Sequence, residues 1–187
     1  MTVMTATLPR PRMHARVILG ALSACGLSAL AWVSFVHPAV HLVYNQSDSV
    51  PVGWYRIRPA SASPLSVHGG SIVLVRLSAE TAALAAQRGY LPARIPLLKR
   101  VGAVASQHVC TENSELHIDG VQVAVMLAAD RRGRPLPSWR QCRLLADGEL
   151  FLLSTTNPAS FDSRYFGPIQ AATVLGIAQP MRLEPQS

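Results

Sequence analysis

Apolar residues fall into two regimes along this chain. From Val17 to Val36 twenty residues pass without a charge, and a helix of that length rises about 30 Å, the thickness of a bilayer's hydrocarbon core. Beyond it the apolar positions come in short groups. Val52–Arg58 alternates and is aromatic and β-branched, as a half-buried strand would be. Ser63–Gly70 is turn material, and Ser71–Leu77 predicts a buried strand. Ser78 is placed to cap a helix, with Thr81 where a capping box would prefer Glu and Gly89 as its stop. Ile95–Val104 predicts the next strand, and Glu115–Val125 a hairpin turning at Asp119-Gly120. Arg131–Cys142 carries two prolines and predicts an irregular loop; Gly148–Thr155 and Ala172–Leu183 predict the closing strands. This pattern predicts a mainly β fold, a partly closed β domain with one short helix, preceded by an N-terminal transmembrane helix.

With 187 residues and no internal repeat or low-complexity linker, one folded domain follows the apolar run. The expected organisation is a cytoplasmic tail over 1–16, a transmembrane anchor over 17–36 and an exported domain over 37–187. Arg10, Arg12 and Arg16 precede the run and all ten acidic residues follow it, which orients the N-terminus to the cytoplasm. A cleaved signal peptide would have a shorter apolar core and small residues at its exit. His37-Pro38-Ala39-Val40-His41 does not offer them.

The net charge of +7 invites a nucleic-acid reading, but no basic run exceeds two residues. The patch that would neutralise phosphates is missing, so no nucleic-acid partner is expected. Cys110 and Cys142 are the two cysteines of the exported part, an even number in an oxidising compartment. Paired, they would close a long loop and stabilise by roughly 3–4 kcal/mol. No C-x-x-C is present, and His108 beside Cys110 lacks the spacings of a zinc site, so no metal and no cofactor is expected.

Three segments carry candidate chemistry. Sixteen of the seventeen basic residues are arginine; the exception is Lys99. In an extended strand Leu97, Lys99 and Val101 share a face while Arg100 points away. Desolvation there would lower the lysine pKa, which arginine does not allow. A neutral lysine is a general base for a hydroxyl nucleophile; alone, a single lysine in an arginine-rich chain is as well explained by chance. In Asn45–Arg56, Asn45, Ser47, Ser49, Pro51, Gly53 and Tyr55 fall at every second residue and would share one face if extended. Ser49 could be a reactive serine close after the span, or the segment an ordinary polar linker. In Pro158–Ile169, Ser160, Asp162, Ser163 and Arg164 form a dense polar cluster, and an Asp162–Arg164 pair could fix a loop.

Taken together, "S-x-S-V-P-x-G-x-Y", "LKRV" and "S-F-D-S-R-Y-F-G", in this order after one anchor, resemble the membrane-bound signal peptidases. The "N-x-S-x-S-x-P-x-G-x-Y-R" form and "G-R-P-L-P-x-W-x-x-C" (Gly133 to Cys142) resemble the TraF-type peptidases of conjugative transfer systems. The resemblance implies Ser49 as nucleophile, Lys99 as general base, Ser47 as oxyanion helper and Ser160 as hydrogen-bond partner of the lysine. Asp162 and Arg164 would be supporting geometry. It also implies a β-rich fold, a periplasmic catalytic domain on a bacterial inner-membrane anchor, and an exported precursor as substrate. In the conjugative branch that precursor is the pilin, with the transfer apparatus as partner, and some relatives join its ends. Three departures bear on the branch: Ser49 is followed by Val50-Pro51 where ordinary signal peptidases have one more residue before the proline, Ala105-Ser106-Gln107 stands where they have "P-G-D", and "STTNPA" replaces "G-D-N-R". A general leader peptidase and a non-catalytic component of a mating or secretion channel stay open beside the pilin peptidase.

Overall fold

The structure is a computed structural model that describes residues 12–35, 41–60 and 67–184. Most of the N-terminal tail, the His37–Val40 exit and the start of the Ser63–Gly70 turn lie outside the described residues. The chain divides into two units, at Met1–Pro38 and Ala39–Ser187. The first contains α1 (Arg12–Phe35), whose stretch His14–Trp32 is long and apolar enough to cross a membrane. Val17, Leu19, Leu22, Leu27 and Trp32 are all exposed on it. A helix apolar on every side has no polar face to offer water.

The second unit is mainly β. A seven-stranded antiparallel sheet takes the order β1-β2-β11-β3-β4-β9-β10, from β1 (His41–Asn45), β2 (Gly53–Pro59), β3 (Ile72–Val75), β4 (Leu97–Val104), β9 (Glu149–Leu153), β10 (Ile169–Gln170) and β11 (Val174–Leu183). A second sheet has the order β7-β6-β5-β8, from β5 (His108–Glu112), β6 (Glu115–Ile118), β7 (Val121–Val125) and β8 (Cys142–Leu144). Ser78 caps α2 (Ala79–Gln87) by accepting from the Thr81 N–H. Beyond the one helix the sequence predicts, Ser163–Phe166 forms a single helical turn, α3, capped by the Asp162 side chain. Strands β1, β5, β8 and β10 are also new: the sequence pattern does not mark them, and they form where the sheets supply neighbours.

The alternation read from the sequence governs β4. Leu97 and Val101 pack with Val73, Val75, Leu150, Leu152 and Val174 on one face; Leu98 packs with Val50, Tyr55, Ile57 and Ile72 on the other. Lys99 belongs to the first face, directly across the ladder from Val73, and is 1% exposed. A register shift between Val101 and Ala103 then turns the strand, so that Ala103 joins a third cluster with Val109, Leu116, Trp139 and Phe151. That cluster unites the two sheets, with the Trp139 and Phe151 rings 5.3 Å apart.

Strand β2 starts at a position only glycine fits. Gly53 has φ +142°, and a Cβ there would stand 2.3 Å from the Arg182 carbonyl oxygen. Pairing with Asn45 on one side and Leu183 on the other, it fixes where the loop 46–52 rejoins the sheet.

Candidate active site

The loop between β1 and β2 is folded rather than extended. The every-second-residue spacing of Asn45 to Tyr55 therefore does not make one strand face. Asn45, buried at the end of β1, turns its amide inward and donates to the carbonyls of Val50 at 2.9 Å and Pro51 at 3.2 Å. Its Oδ1 accepts from the Ser47 N–H at 3.2 Å and from Ser47 Oγ at 3.0 Å. Tyr55 reaches back to donate to the Pro51 carbonyl at 2.6 Å. Val50 is 1% exposed and plugs the loop into the core. The result is a short serine-bearing turn held from inside, with Ser49 half-buried at its tip.

Segments distant in sequence hold the same turn. Ser154 Oγ, just after β9, donates to the Ser49 carbonyl at 2.9 Å, and Thr156 Oγ1 donates to the Asp48 carbonyl. Asn45, Ser154 and Thr156 join the site beyond the residues the sequence points to. For Asn45 the Asn-x-Ser pattern is a usable signal, because Asn side chains bond their own backbone two residues on. Ser154 and Thr156 carry no such signal; they lie in the stretch that reads only as a departure from the family pattern.

Lys99, Ser160 and Ser49 form a chain. Lys99 Nζ donates to Ser160 Oγ, and Ser160 Oγ lies 3.3 Å from Ser49 Oγ, to which it donates. Ser47 Oγ also lies 3.3 Å from Ser49 Oγ. The lysine therefore connects to Ser49 through Ser160. Burial is the largest influence on the Lys99 amine and holds its pKa down, to about 8 from the usual 10.5. The carboxylates of Asp162 and Asp48 pull it back up, while Arg164 pushes it further down.

Behind this chain stands a buried ion pair. Arg164 donates from Nε to Asp162 Oδ1 at 2.8 Å and from a terminal nitrogen to Oδ2 at 2.9 Å, with both residues at most 1% exposed. The fork also reaches the Val125 carbonyl at 2.8 Å and the Ser160 carbonyl at 3.1 Å. Asp162 Oδ2 accepts from the Ser154 N–H at 3.0 Å, and Ser163 Oγ from the Leu152 N–H at 2.9 Å. Two charges this deep are tolerated because every lobe is hydrogen-bonded. They tie the Ser160 backbone to the end of β9, and so set where Ser160 meets Lys99.

Ser47, Ser49, Lys99 and Ser160 all line one cleft of about 380 Å³. Asp162 and Arg164 support it from behind. Cys110 and Cys142 lie elsewhere, directly opposed on β5 and β8 and joined by a disulfide. Among the described residues the one cluster with the spacing for a metal is Cys110, Glu112 and Cys142, and its two sulfurs are spent in that bond. What remains in the cleft is a hydroxyl wired to a buried amine, an arrangement suited to nucleophilic attack assisted by a base.

Comparison with known proteins bears on the same stretch. The family model described as signal peptidase, peptidase S26, matches residues 14–182. A "Probable conjugal transfer protein TraF" from Sinorhizobium fredii is 32% identical, with 96% of each chain covered. A "Plasmid transfer protein TraF" from Escherichia coli is 28% identical over 91% of this chain and 97% of the relative. Among solved structures, a signal peptidase I from Enterococcus faecalis is similar at 19% identity and a TM-score of 0.34, covering 59% of this chain and 94% of that one.

Proposed function

The chain belongs to the signal peptidase family S26, and from that premise we propose that it is a membrane-anchored serine endopeptidase of conjugative transfer, with Ser49 as nucleophile and Lys99 as general base. The observation that carries this reading is the hydrogen-bond chain from buried Lys99 through Ser160 to Ser49 at the floor of the cleft.

The chemistry follows from the direction of that chain. With Lys99 charged, hydrogen bonds run outward from Nζ to Ser160 and on to Ser49. Once the amine is neutral they reverse: Ser49 gives its proton to Ser160 Oγ as Ser160 gives its own to Lys99 Nζ. Ser49 Oγ then attacks the scissile carbonyl. The Ser49 N–H and the Ser47 hydroxyl receive the developing oxyanion; losing one such donor typically costs about 2.7–4 kcal/mol of barrier. The tetrahedral adduct collapses as Lys99 returns the proton to the leaving amine, and an acyl-enzyme remains. Water resolves it to a free carboxylate; the substrate's own N-terminal amine resolves it to a ring.

Helix α1 is the anchor in this reading, with residues 1–16 cytoplasmic and the catalytic unit periplasmic at the bacterial inner membrane. The substrate is an exported precursor; the names of the relatives favour one used in conjugation, and the resemblance of the sequence motifs favours the pilin. The test is the intact mass of the candidate pilin subunit in cells carrying the wild type or Lys99→Arg, which keeps charge but removes the titratable amine. A precursor left full-length only by Lys99→Arg supports the peptidase, and a product one water lighter than the trimmed linear peptide identifies ring closure. Equal masses in both strains would overturn the assignment of Lys99.

A further inference from the structure

The cleft that holds Ser49 is basic along one rim. Arg88, just after α2, and Arg131, Arg132 and Arg134, in the turn after Asp130, all line it, and Asp130 is the one carboxylate among the lining residues. That acid is consumed locally. It accepts from the Tyr90 hydroxyl at 2.6 Å, from Arg134 Nε at 2.7 Å and from the N–H groups of Arg132 and Arg134, both at 2.9 Å. The Tyr90 hydroxyl foremost, then the main-chain donors and Arg134, hold Asp130 well below the usual carboxylate range. The main chain closes the same turn, Gly133 N–H to the Asp130 carbonyl at 2.9 Å and Asp130 N–H to the Arg134 carbonyl at 3.0 Å.

The four arginines are not equivalent. Arg134 is spent on Asp130, on the Arg88 carbonyl at 2.9 Å and over the Tyr90 ring at 5.6 Å. Arg88 donates to the neutral Pro135 carbonyl at 2.7 Å, which leaves its charge unbalanced. The Arg131 and Arg132 side chains are exposed and have no hydrogen bond or ion pair among the described residues. Leu77, Ala85, Leu91 and Leu97 make other parts of the lining apolar, and the remaining cation, Lys99, is buried and bonded to Ser160, so the exposed positive charge that meets an entering anionic group is at the arginine rim.

We infer that Arg131 and Arg132, backed by Arg88, bind a carboxylate of the peptide substrate within a few residues of the scissile bond. The inference rests on the peptidase reading of Ser49 and adds the class of substrate that site selects. A guanidinium offers a planar fork of donors that matches a carboxylate, and a basic rim on a cleft raises the local concentration of anionic segments. The turn is braced by Asp130 and Tyr90, so little conformational freedom remains to be lost in its backbone on binding. The carboxylate can come from an Asp or Glu side chain or from the substrate's C-terminus.

The test uses the full chain in detergent micelles and a proteome-derived peptide library, with cleaved bonds read by mass spectrometry against a Ser49→Ala control. Wild type is expected to enrich Asp and Glu within a few residues on one side of the bond, or to favour bonds close to a free C-terminus. The double variant Arg131→Glu with Arg132→Glu should lose that preference and gain Lys and Arg at the same positions. For one recovered peptide, kcat/KM should fall about tenfold or more on Glu→Gln if a side chain is the ligand, or on C-terminal amidation if the terminus is; in the double variant the corresponding ratio should approach one. Cleavage that depends on Ser49 but shows neither preference overturns the inference and leaves the peptidase reading standing. No Ser49-dependent cleavage overturns both. A double variant that binds phosphatidylglycerol vesicles less well, with its cleavage preference unchanged, would assign the arginines to lipid and overturn the inference.

Discussion

Ser154 Oγ donates to the main-chain carbonyl of Ser49 at 2.9 Å, across 105 residues of sequence. The bond clamps the proposed nucleophile from the far side of the large sheet, where Ser154 follows β9 and its own N–H is held by Asp162 at 3.0 Å. Position at Ser49 is thus set by two layers: Asn45 and Tyr55 from within the loop, Ser154 and Thr156 from outside it.

Ser154→Ala should therefore slow the chemical step more than it weakens substrate binding. The expected result is a kcat about tenfold lower with KM little changed, because a small misplacement of a reacting group is costly. Loss of one such hydrogen bond should reduce stability by only about 1 kcal/mol. Steady-state kinetics together with urea unfolding separate the two effects; an unchanged kcat would remove Ser154 from the positioning of Ser49.

The rate should rise with pH and level off above about 8, where Lys99 loses its proton. A pH profile of kcat/KM on a cleaved peptide checks this, and a plateau already reached at pH 6 would contradict Lys99 as the titrating base.

Stability should carry the same signature. The folded pKa of Lys99 lies below the unfolded one, so between about pH 8 and 10.5 the unfolded chain binds the extra proton and folding gains as pH rises. Below about pH 8 the cost of burying the charged amine is present in full. Lys99→Met lacks this term. The Tm of wild type relative to Lys99→Met should climb as pH moves from 7.5 to about 10, and a difference that stays flat would mean the amine does not titrate in that window.

Removing Asp162 should damage the fold itself. Asp162→Ala leaves Arg164 buried without its partner, and breaking such a pair costs about 3–5 kcal/mol. The denaturation midpoint in urea should drop with little change in slope. The shift should also exceed that of Ser160→Ala, whose hydroxyl serves the Lys99 chain rather than the ion pair.

The denatured, unreduced protein should show one free thiol, Cys25, with Cys110 and Cys142 bonded. Reduction should lower stability by roughly 3–4 kcal/mol without dismantling the cleft, since the bond joins β5 to β8 in the small sheet, away from Ser49. A count of three thiols would remove the disulfide.

Some of this architecture is a property of local sequence. The face of Lys99 follows from strand alternation with Leu97 and Val101, and α2 from the Ser78 cap, because both depend on backbone geometry over a few residues. The Asp119-Gly120 turn follows from its own chemistry, with both residues at positive φ. The loop around Ser49 shows where such reasoning stops. Its every-second-residue spacing reads as extended, yet the chain folds, because the Asn45 amide supplies the bonds a strand neighbour would have given. Strand β8, which starts at the last residue of the predicted loop, and the helical turn α3 are likewise decided by partners brought from elsewhere.

Local sequence sets which chemical groups this protein has and, through periodicity, which way many of them face: an uncharged helix-length run, a lone lysine on an apolar strand face, and serines and an Asp–Arg pair in polar segments. That these groups meet is a result of packing across the whole unit. Lys99 touches Ser160 from 61 residues away, and Ser160 reaches Ser49 from 111. Proximity over such separations is set by sheet order and by the burial of three apolar clusters, which are cooperative properties of the whole unit. The depressed lysine pKa belongs to the same level: it arises from desolvation, and desolvation exists only once the surrounding chain has packed.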